Sequence, residues 1–172
     1  ERIHRSQNQE LIHHIHILEL AGFLSRDYYY KAEGQISKLS HLRVKDNYLR
    51  FYIKHIEPLC DQIKRGGKIM KSYKEIKGIE NLFGYQFENL ILANRQLINP
   101  FLEIGHNEIM FSSPYKQNKT ESNKGACQVD LLIGTHFHTF YLCEFKCQKM
   151  IDKSIIKEVK KKCDLIKLPR RY

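Results

Sequence analysis

Two short apolar runs, separated by a few polar residues, constrain the fold of this chain more than any other feature. They span residues 128–133 and 140–146 and are rich in branched and aromatic side chains. Runs of this length and composition, joined by a short connection, predict a β-hairpin. If the hairpin turns near Phe137, then Asp130 lies opposite Glu144 on the same face of the sheet.

Three charged side chains interrupt these apolar runs. Side chains alternate along a strand, so Lys146 points the same way as Glu144, and the predicted register adds Asp130. An isolated charge in apolar surroundings is costly, so the group needs a physical reason. A divalent metal with a phosphate substrate is one such reason, and a salt-bridged sheet edge is the other.

The chemistry of a metal site accounts for the order of these residues. Mg²⁺ prefers oxygen ligands and usually takes one or two carboxylates together with water and substrate phosphates. Asp130 and Glu144 supply such oxygens, and the carbonyl of Phe145 is a further candidate. Lys146 is within reach to hold an attacking water or to stabilise developing negative charge.

The charge of the chain favours a polyanion as its partner. The formal net charge of the 172 residues is +10, and residues 146–172 hold ten Lys/Arg and three Asp/Glu, which is +7 of that total. Such a basic balance favours nucleic acid or an acidic membrane surface, and simple solubility is the alternative. A hydrophobic fraction of 42% indicates a folded globular chain.

The sequence contains no sign of a membrane span or a disulfide framework. No run approaches the roughly 20 apolar residues of a spanning helix, and no signal peptide is visible. The five cysteines are irregularly spaced and form no CxxC pair, which favours reduced thiols that serve as packing residues. We therefore expect a cytoplasmic chain without membrane association. Because it starts with Glu1, we also expect a piece of a longer protein, truncated at its C-terminus.

Residues 1–46 predict a small element of a known DNA-binding type. The expected order is a helix over 7–21, a strand over 23–26, a polar loop over 27–38 and a strand over 39–44. This order is that of the second half of a winged helix, which places a helix in the major groove of DNA. A packing module that contacts no DNA is an equal alternative.

Residues 47–172 predict a second domain of helices and strands. Asp46 is a good N-cap for the helix that follows it. A stronger helix spans 84–98, with Glu88 at the border of its apolar stripe. The remaining expected elements are a weak strand over 109–111, a loop over 112–125, the hairpin, and a helix over 152–166.

The last of these helices is basic and follows the hairpin directly. Its expected inward residues are Ile155, Ile156, Val159, Cys163 and Ile166. Its outward and flanking positions hold the lysines Lys153, Lys157, Lys160 and Lys161. These lysines would line the rim of the site beside the hairpin and contact a DNA backbone, a salt-sensitive and sequence-independent interaction.

Asp130, preceded by Val129 and followed by Glu144-Phe145-Lys146, resembles the core of the PD-(D/E)XK nuclease superfamily. Glu88, within residues 87–90, resembles the helical acid of that family. The resemblance implies a restriction-endonuclease-like α/β fold with a mixed sheet flanked by helices. It also implies that Glu88, Asp130 and Glu144 bind Mg²⁺ or Mn²⁺ and that Lys146 assists hydrolysis. Val129 stands where the family usually has proline.

Residues 42–52 carry a second resemblance, to a group of bacterial and archaeal AAA-type ATPases. In those proteins a winged helix follows the ATPase module, and a nuclease-like domain closes the chain. Residues 84–88 and 143–146 fit the same template, so the resemblance covers most of the chain. No GxxxxGK[ST] loop is present, so the resemblance implies an ATPase module, in the same longer chain, as a partner.

Three functions remain open from the sequence. The first is a metal-dependent endonuclease that hydrolyses DNA, and the second is a non-catalytic DNA-binding module of an ATPase. The third is a protein-interaction module whose charges serve only its surface. The sequence also leaves open whether the chain forms a homo-oligomer.

Overall fold

The computed structural model describes residues 9–30, 35–67, 72–119, 125–148 and 150–166. Helices and two small sheets make up these ranges, so the α/β class predicted from the sequence is confirmed. Contacts divide the chain into two compact units: Glu1–Arg26 with Leu42–Leu82, and Asp27–His41 with Phe83–Tyr172. The boundary between 1–46 and 47–172 stays a prediction.

The chain begins with a helix and a hairpin, in the order that was predicted. Helix α1 spans Gln9–Leu20, and strands β1 (Leu24–Tyr30) and β2 (Ile36–Val44) form a two-stranded sheet. The predicted polar loop over 27–38 is wrong at 27–30, where β1 continues through three tyrosines that are good strand formers, and at 36–38, which belong to β2. Residues 31–34 of that loop lie outside the described residues. The assignment to a winged helix stays a prediction.

A chain of short helical segments follows. Helix α2 spans Asn47–Phe51, and the Asp46 carboxylate accepts a hydrogen bond from the Leu49 amide, so the predicted N-cap is confirmed. The backbone continues through a π-helical turn and a 3₁₀ turn that contains Pro58, and then forms α3, Cys60–Lys64.

Helix α4 spans Ile79–Ala93, so it begins earlier and ends earlier than the predicted helix over 84–98. Its buried side chains are Leu82, Asn89 and Leu92. Leu90 of the same helix is exposed. A 3₁₀ turn from Arg95 to Leu97 follows the helix.

Three antiparallel strands form the second sheet, in the order β3-β4-β5. They span Ile109–Gln117, Cys127–Thr135 and Phe140–Cys143. The predicted loop over 112–125 is wrong for its first six residues, which extend β3. The register shifts beside Pro114, which has no amide hydrogen for the ladder. The pairings of this sheet are all antiparallel, so the described residues do not form the mixed sheet that was predicted.

The two faces of this sheet bury different side chains. Leu131 and Ile133 pack with Leu92 of α4 on one face. On the other, Leu132 packs with Phe111. Partly buried Tyr30, Phe140, Leu142, Leu165 and Ile166 cover this second cluster. Val129 belongs to this second cluster together with Leu132, because the β3–β4 register shift interrupts the alternation of side chains along β4 between these two residues.

Helix α5 spans Ser154–Leu165 and confirms the predicted basic helix. Ile155 and Val159 are half-buried as predicted, whereas Ile156 and Cys163 are exposed. No helix within the described ranges is both long enough and apolar enough to cross a membrane.

Candidate functional site

The register of the β4–β5 hairpin brings two carboxylates to one face. Leu131 pairs with Cys143 and Leu132 pairs with Leu142, so the next position in the same register sets Asp130 opposite Glu144. This is the register predicted from a turn near Phe137. Strand β5 ends at Cys143, so Glu144 and the two residues after it follow the strand instead of lying within it.

The side chain of Asp130 explains where β5 ends. Its Oδ2 accepts a hydrogen bond of 2.9 Å from the backbone amide of Phe145. The Asp130 carboxylate thus accepts the hydrogen bond that a backbone carbonyl of the neighbouring strand would accept if the strand pairing continued. The bond fixes the backbone immediately after Glu144, and it leaves Oδ1 of Asp130 for other partners.

Glu144 is buried beside the ammonium group of Lys162. Its side chain is 3% exposed, and its Oε1 lies 2.7 Å from Nζ of Lys162, whose side chain is 20% exposed. At this distance the two side chains form an ion pair. Lys162 therefore supplies the charge that a buried carboxylate requires.

The two partners respond differently to this burial. Burial raises the pKa of Glu144 above its usual value, contact with Lys162 lowers it, and the nearby charge of Asp130 raises it further. Burial alone would lower the pKa of Lys162, but the contacts and charges of Glu144 and Glu158 outweigh it and raise that pKa. Lys162 thus stays protonated, and its charge, like that of Lys146, favours the ionised form of Glu144.

A second pair of charges extends the cluster toward solvent. Oε1 of Glu158 lies 3.4 Å from Nζ of Lys162 and 3.9 Å from Nζ of Lys146. We call Glu144, Lys146, Glu158 and Lys162 the hairpin–helix charge cluster. It alternates in sign from the buried Glu144 to the exposed end of Lys146, which keeps each charge beside an opposite one.

Gln117 connects the end of α5, the helix that carries Glu158 and Lys162, to the sheet by hydrogen bonds. Its Nε2 donates to the carbonyl of Gly125 at 2.7 Å and to the carbonyl of Leu165 at 3.0 Å. Its Oε1 accepts from the hydroxyl of Tyr115 at 2.9 Å. The buried amide of Gln117 therefore links the end of α5 to the end of β3.

Burial disfavours the thiolate form of the two thiols beside the site. Burial, and then the charge of Glu144, raise the pKa of Cys143 to about 11. Burial also raises the pKa of Cys127 above its usual value. Since the thiolate is the nucleophile and the metal ligand, these cysteines are packing residues, as predicted.

Glu88 lies on α4, the helix on which the sequence placed it. Its side chain is half-buried, and Leu92 of the same helix packs with Leu131 and Ile133 of β4. In the part of the chain that the structure describes, no group of three or more His, Cys, Asp or Glu side chains is placed to hold a metal ion. The role of Glu88 stays a prediction.

The four lysines predicted to contact DNA are all exposed. They are Lys153, Lys157, Lys160 and Lys161. Lys153 precedes the first residue of α5, and the other three lie on the helix. Their exposure is what contact with a DNA backbone requires, although an exposed lysine is equally suited to solvent alone.

Sequence reasoning did not find Lys162 or Glu158. A signal was present, because Lys162 lies seven residues after Ile155 and three after Val159, on the apolar stripe of the helix. Glu158 precedes Lys162 by four residues, the favourable spacing for a helical ion pair. Because Lys162 lies on an apolar stripe, the sequence could have predicted that its ammonium meets a buried carboxylate as well as Glu158.

Comparison with known proteins adds no relative to this picture. No family model matches the chain, and neither the curated proteins nor the solved structures contain a match to it. The arrangement of the chain's own residues therefore carries the functional argument.

Proposed function

We propose that this protein hydrolyses phosphodiester bonds of DNA in a metal-dependent reaction. The observation that carries the proposal is the hairpin register, which sets Asp130 opposite Glu144 on one face, with Lys146 two residues further on. Two carboxylates and an adjacent ammonium are the groups that such a reaction needs. The resemblance to PD-(D/E)XK nucleases supports the same function.

Asp130 and Glu144 fit the requirements of Mg²⁺ or Mn²⁺. Mg²⁺ is usually held by one or two carboxylates, with water and substrate phosphates as the other ligands. These two residues would hold the ion, and in the proposal Glu88 contributes as the third acid. When bound, the ion polarises a phosphoryl oxygen and lowers the pKa of its water.

Lys146 has the chemistry for the second role. Its side chain is partly exposed, so its ammonium can meet a phosphate that arrives from solvent. There it would donate hydrogen bonds to a phosphoryl oxygen and stabilise the charge that develops during hydrolysis. The exposed lysines Lys153, Lys157, Lys160 and Lys161 would bind the backbone on either side of that phosphate.

The wider architecture is part of the proposal. The order α4, β3-β4-β5, α5 supports a restriction-endonuclease-like domain, for which we expected a helix with an acid, strands that include the hairpin, and a basic helix. The helix and hairpin formed by α1, β1 and β2 would be part of a winged helix. An ATPase module in the same longer chain would be the partner of both.

A non-catalytic DNA-binding module is the second candidate. The observation that favours it is the ion pair between Glu144 and Lys162, at 2.7 Å. An ammonium so placed already neutralises the carboxylate that a metal would require. In this function the basic surface binds DNA, and the hairpin–helix charge cluster stabilises the fold.

Calorimetric titration with Mn²⁺ distinguishes the two functions. We expect one binding site in the wild-type protein and at least about tenfold weaker binding in Glu144→Gln, because the amide removes a charged ligand. Asp164→Asn is the matched control, since it removes an exposed carboxylate from α5. Absent binding in the wild type, or equal binding in all three proteins, would favour the module.

A further inference from the structure

We propose that Lys146 and Lys162 together form a phosphate-binding subsite, and that Glu158 occupies this subsite until DNA displaces it. The inference rests on the proposed function, because it names the group of the substrate that the site receives. It adds two residues of α5, Lys162 and Glu158, which the resemblance to nucleases did not suggest.

Both ammonium groups converge on one carboxylate oxygen. Nζ of Lys162 and Nζ of Lys146 lie 3.4 Å and 3.9 Å from the same Oε1 of Glu158. An oxygen anion with two lysines beside it has the surroundings of a non-bridging phosphate oxygen in a protein site. Oε1 of Glu158 therefore occupies the position that we assign to a phosphate oxygen of DNA.

Glu158 is the member of the charge cluster that is easiest to displace. Its side chain is 48% exposed, and its pairing with Lys162 is an i, i+4 helical pair. Pairs of this kind contribute little to stability when they are exposed to solvent. The stronger contact of Lys162 is with the buried Glu144, so Lys162 keeps its position when Glu158 rotates away.

The position of the subsite selects a phosphodiester over a small anion. Lys162 of the subsite contacts Glu144, and the exposed Lys161 directly precedes Lys162 on α5. A free phosphate would meet only the two ammonium groups, whereas a DNA strand would also contact the exposed lysines of α5. Lysine acts here as a point charge, so the subsite binds the backbone without reading sequence.

Removal of the charge of Glu158 tests the inference. We measure binding of a short fluorescent DNA duplex of mixed sequence by anisotropy, in EDTA and over a series of salt concentrations. Glu158→Gln should bind about fivefold more tightly than the wild type, the size of a unit-charge repulsion at contact in water. Its slope of log K against log salt should be steeper by about 0.9, the value for one additional phosphate contact.

Two control variants give the measurement its specificity. Asp164→Asn changes the net charge of α5 by the same amount at another exposed position, so its affinity should change less than about twofold because salt screens it. Lys146→Gln in the Glu158→Gln background should abolish most of the gain. Equal affinity in Glu158→Gln and Asp164→Asn would overturn the inference, as would a gain that persists without Lys146, or absent binding in Glu158→Gln at low salt.

The outcome is independent of hydrolysis, because no divalent metal is present. If Glu158→Gln gains affinity as expected while the wild type fails to cut DNA in Mg²⁺, the subsite stands and the proposed reaction falls. If the wild type cuts DNA while Glu158→Gln behaves like Asp164→Asn, the subsite falls and the reaction stands.

Discussion

Replacement of Lys162 by methionine should lower the free energy of unfolding by about 3 kcal/mol at neutral pH. Methionine keeps the length and apolar stem of the side chain but removes the ammonium that lies 2.7 Å from Glu144. The carboxylate is then buried without its cation, and breaking a buried pair in this way costs several kcal/mol. Urea denaturation followed by circular dichroism measures the change.

The loss should depend on pH with a definite sign. Burial already raises the pKa of Glu144 above its usual value, and removal of Lys162 would raise this pKa further. An acid with a raised folded-state pKa contributes stability below its unfolded pKa, and this contribution is lost as pH rises through the folded pKa. The variant should therefore lose less stability at about pH 5 than at about pH 8.

Two variants separate the ion pair from a general effect on the helix. Lys161→Met removes a neighbouring exposed ammonium and should change stability by less than about 0.5 kcal/mol. Glu144→Gln combined with Lys162→Met removes both charges and should recover most of the loss. A Lys162→Met variant as stable as Lys161→Met, with no dependence on pH, would contradict the assigned pair.

Arg95 to methionine is the other substitution with a large expected effect, about 3–5 kcal/mol. The guanidinium donates at 3.1 Å to Asp27, whose side chain is 3% exposed. It also donates to the carbonyls of Leu92 and Ser112, which lie at the end of α4 and in β3. Methionine would leave a buried carboxylate without this partner and two carbonyls without their donor.

The geometry of the guanidinium can be tested separately from its charge. Arg95→Lys keeps a cation near Asp27 but cannot reach three acceptors at once. We therefore expect its free energy of unfolding to lie between those of the wild type and Arg95→Met. Both are measured by urea denaturation in the same buffer. A loss below about 1 kcal/mol for Arg95→Met would show that the buried pair does not hold these elements together.

The hairpin was predictable because its determinants are local. Branched and aromatic residues in two short runs specify strands, and a turn centred near Phe137 specifies which residues face each other. The observed pairs, such as Leu132 with Leu142, have that register. What the pattern did not predict is that β5 stops at Cys143, since this depends on the Asp130 side chain taking the Phe145 amide.

The features that the sequence did not predict depend on contacts between residues that are far apart in the chain. Asp27 and Arg95 are 68 positions apart, and nothing local marks either as a partner of the other. The predicted face of α5 placed Ile156 inward and did not include Lys162, because periodicity treats lysine as polar wherever it falls. A lysine can lie on a buried stripe because its stem is apolar, provided that a carboxylate pairs with its ammonium group.

Lys162 also determines how the two proposed functions relate to each other. The ammonium and a divalent ion would both be cations beside Glu144, and charge repulsion opposes their presence together. An active nuclease needs the ion to bind in spite of Lys162, through Asp130 and the second oxygen of Glu144. A binding module needs only the ion pair that the structure contains.

Nicking of supercoiled plasmid DNA in Mg²⁺ tests the central claim most directly. We compare the wild type with Asp130→Ala and Lys146→Ala, with Asp164→Asn as the control, after circular dichroism has shown that all are folded. The account predicts that the wild type and the control nick the plasmid at equal rates, and that each of the other two is at least about 100-fold slower. Equal cleavage by all four proteins, or none by the wild type, would contradict it.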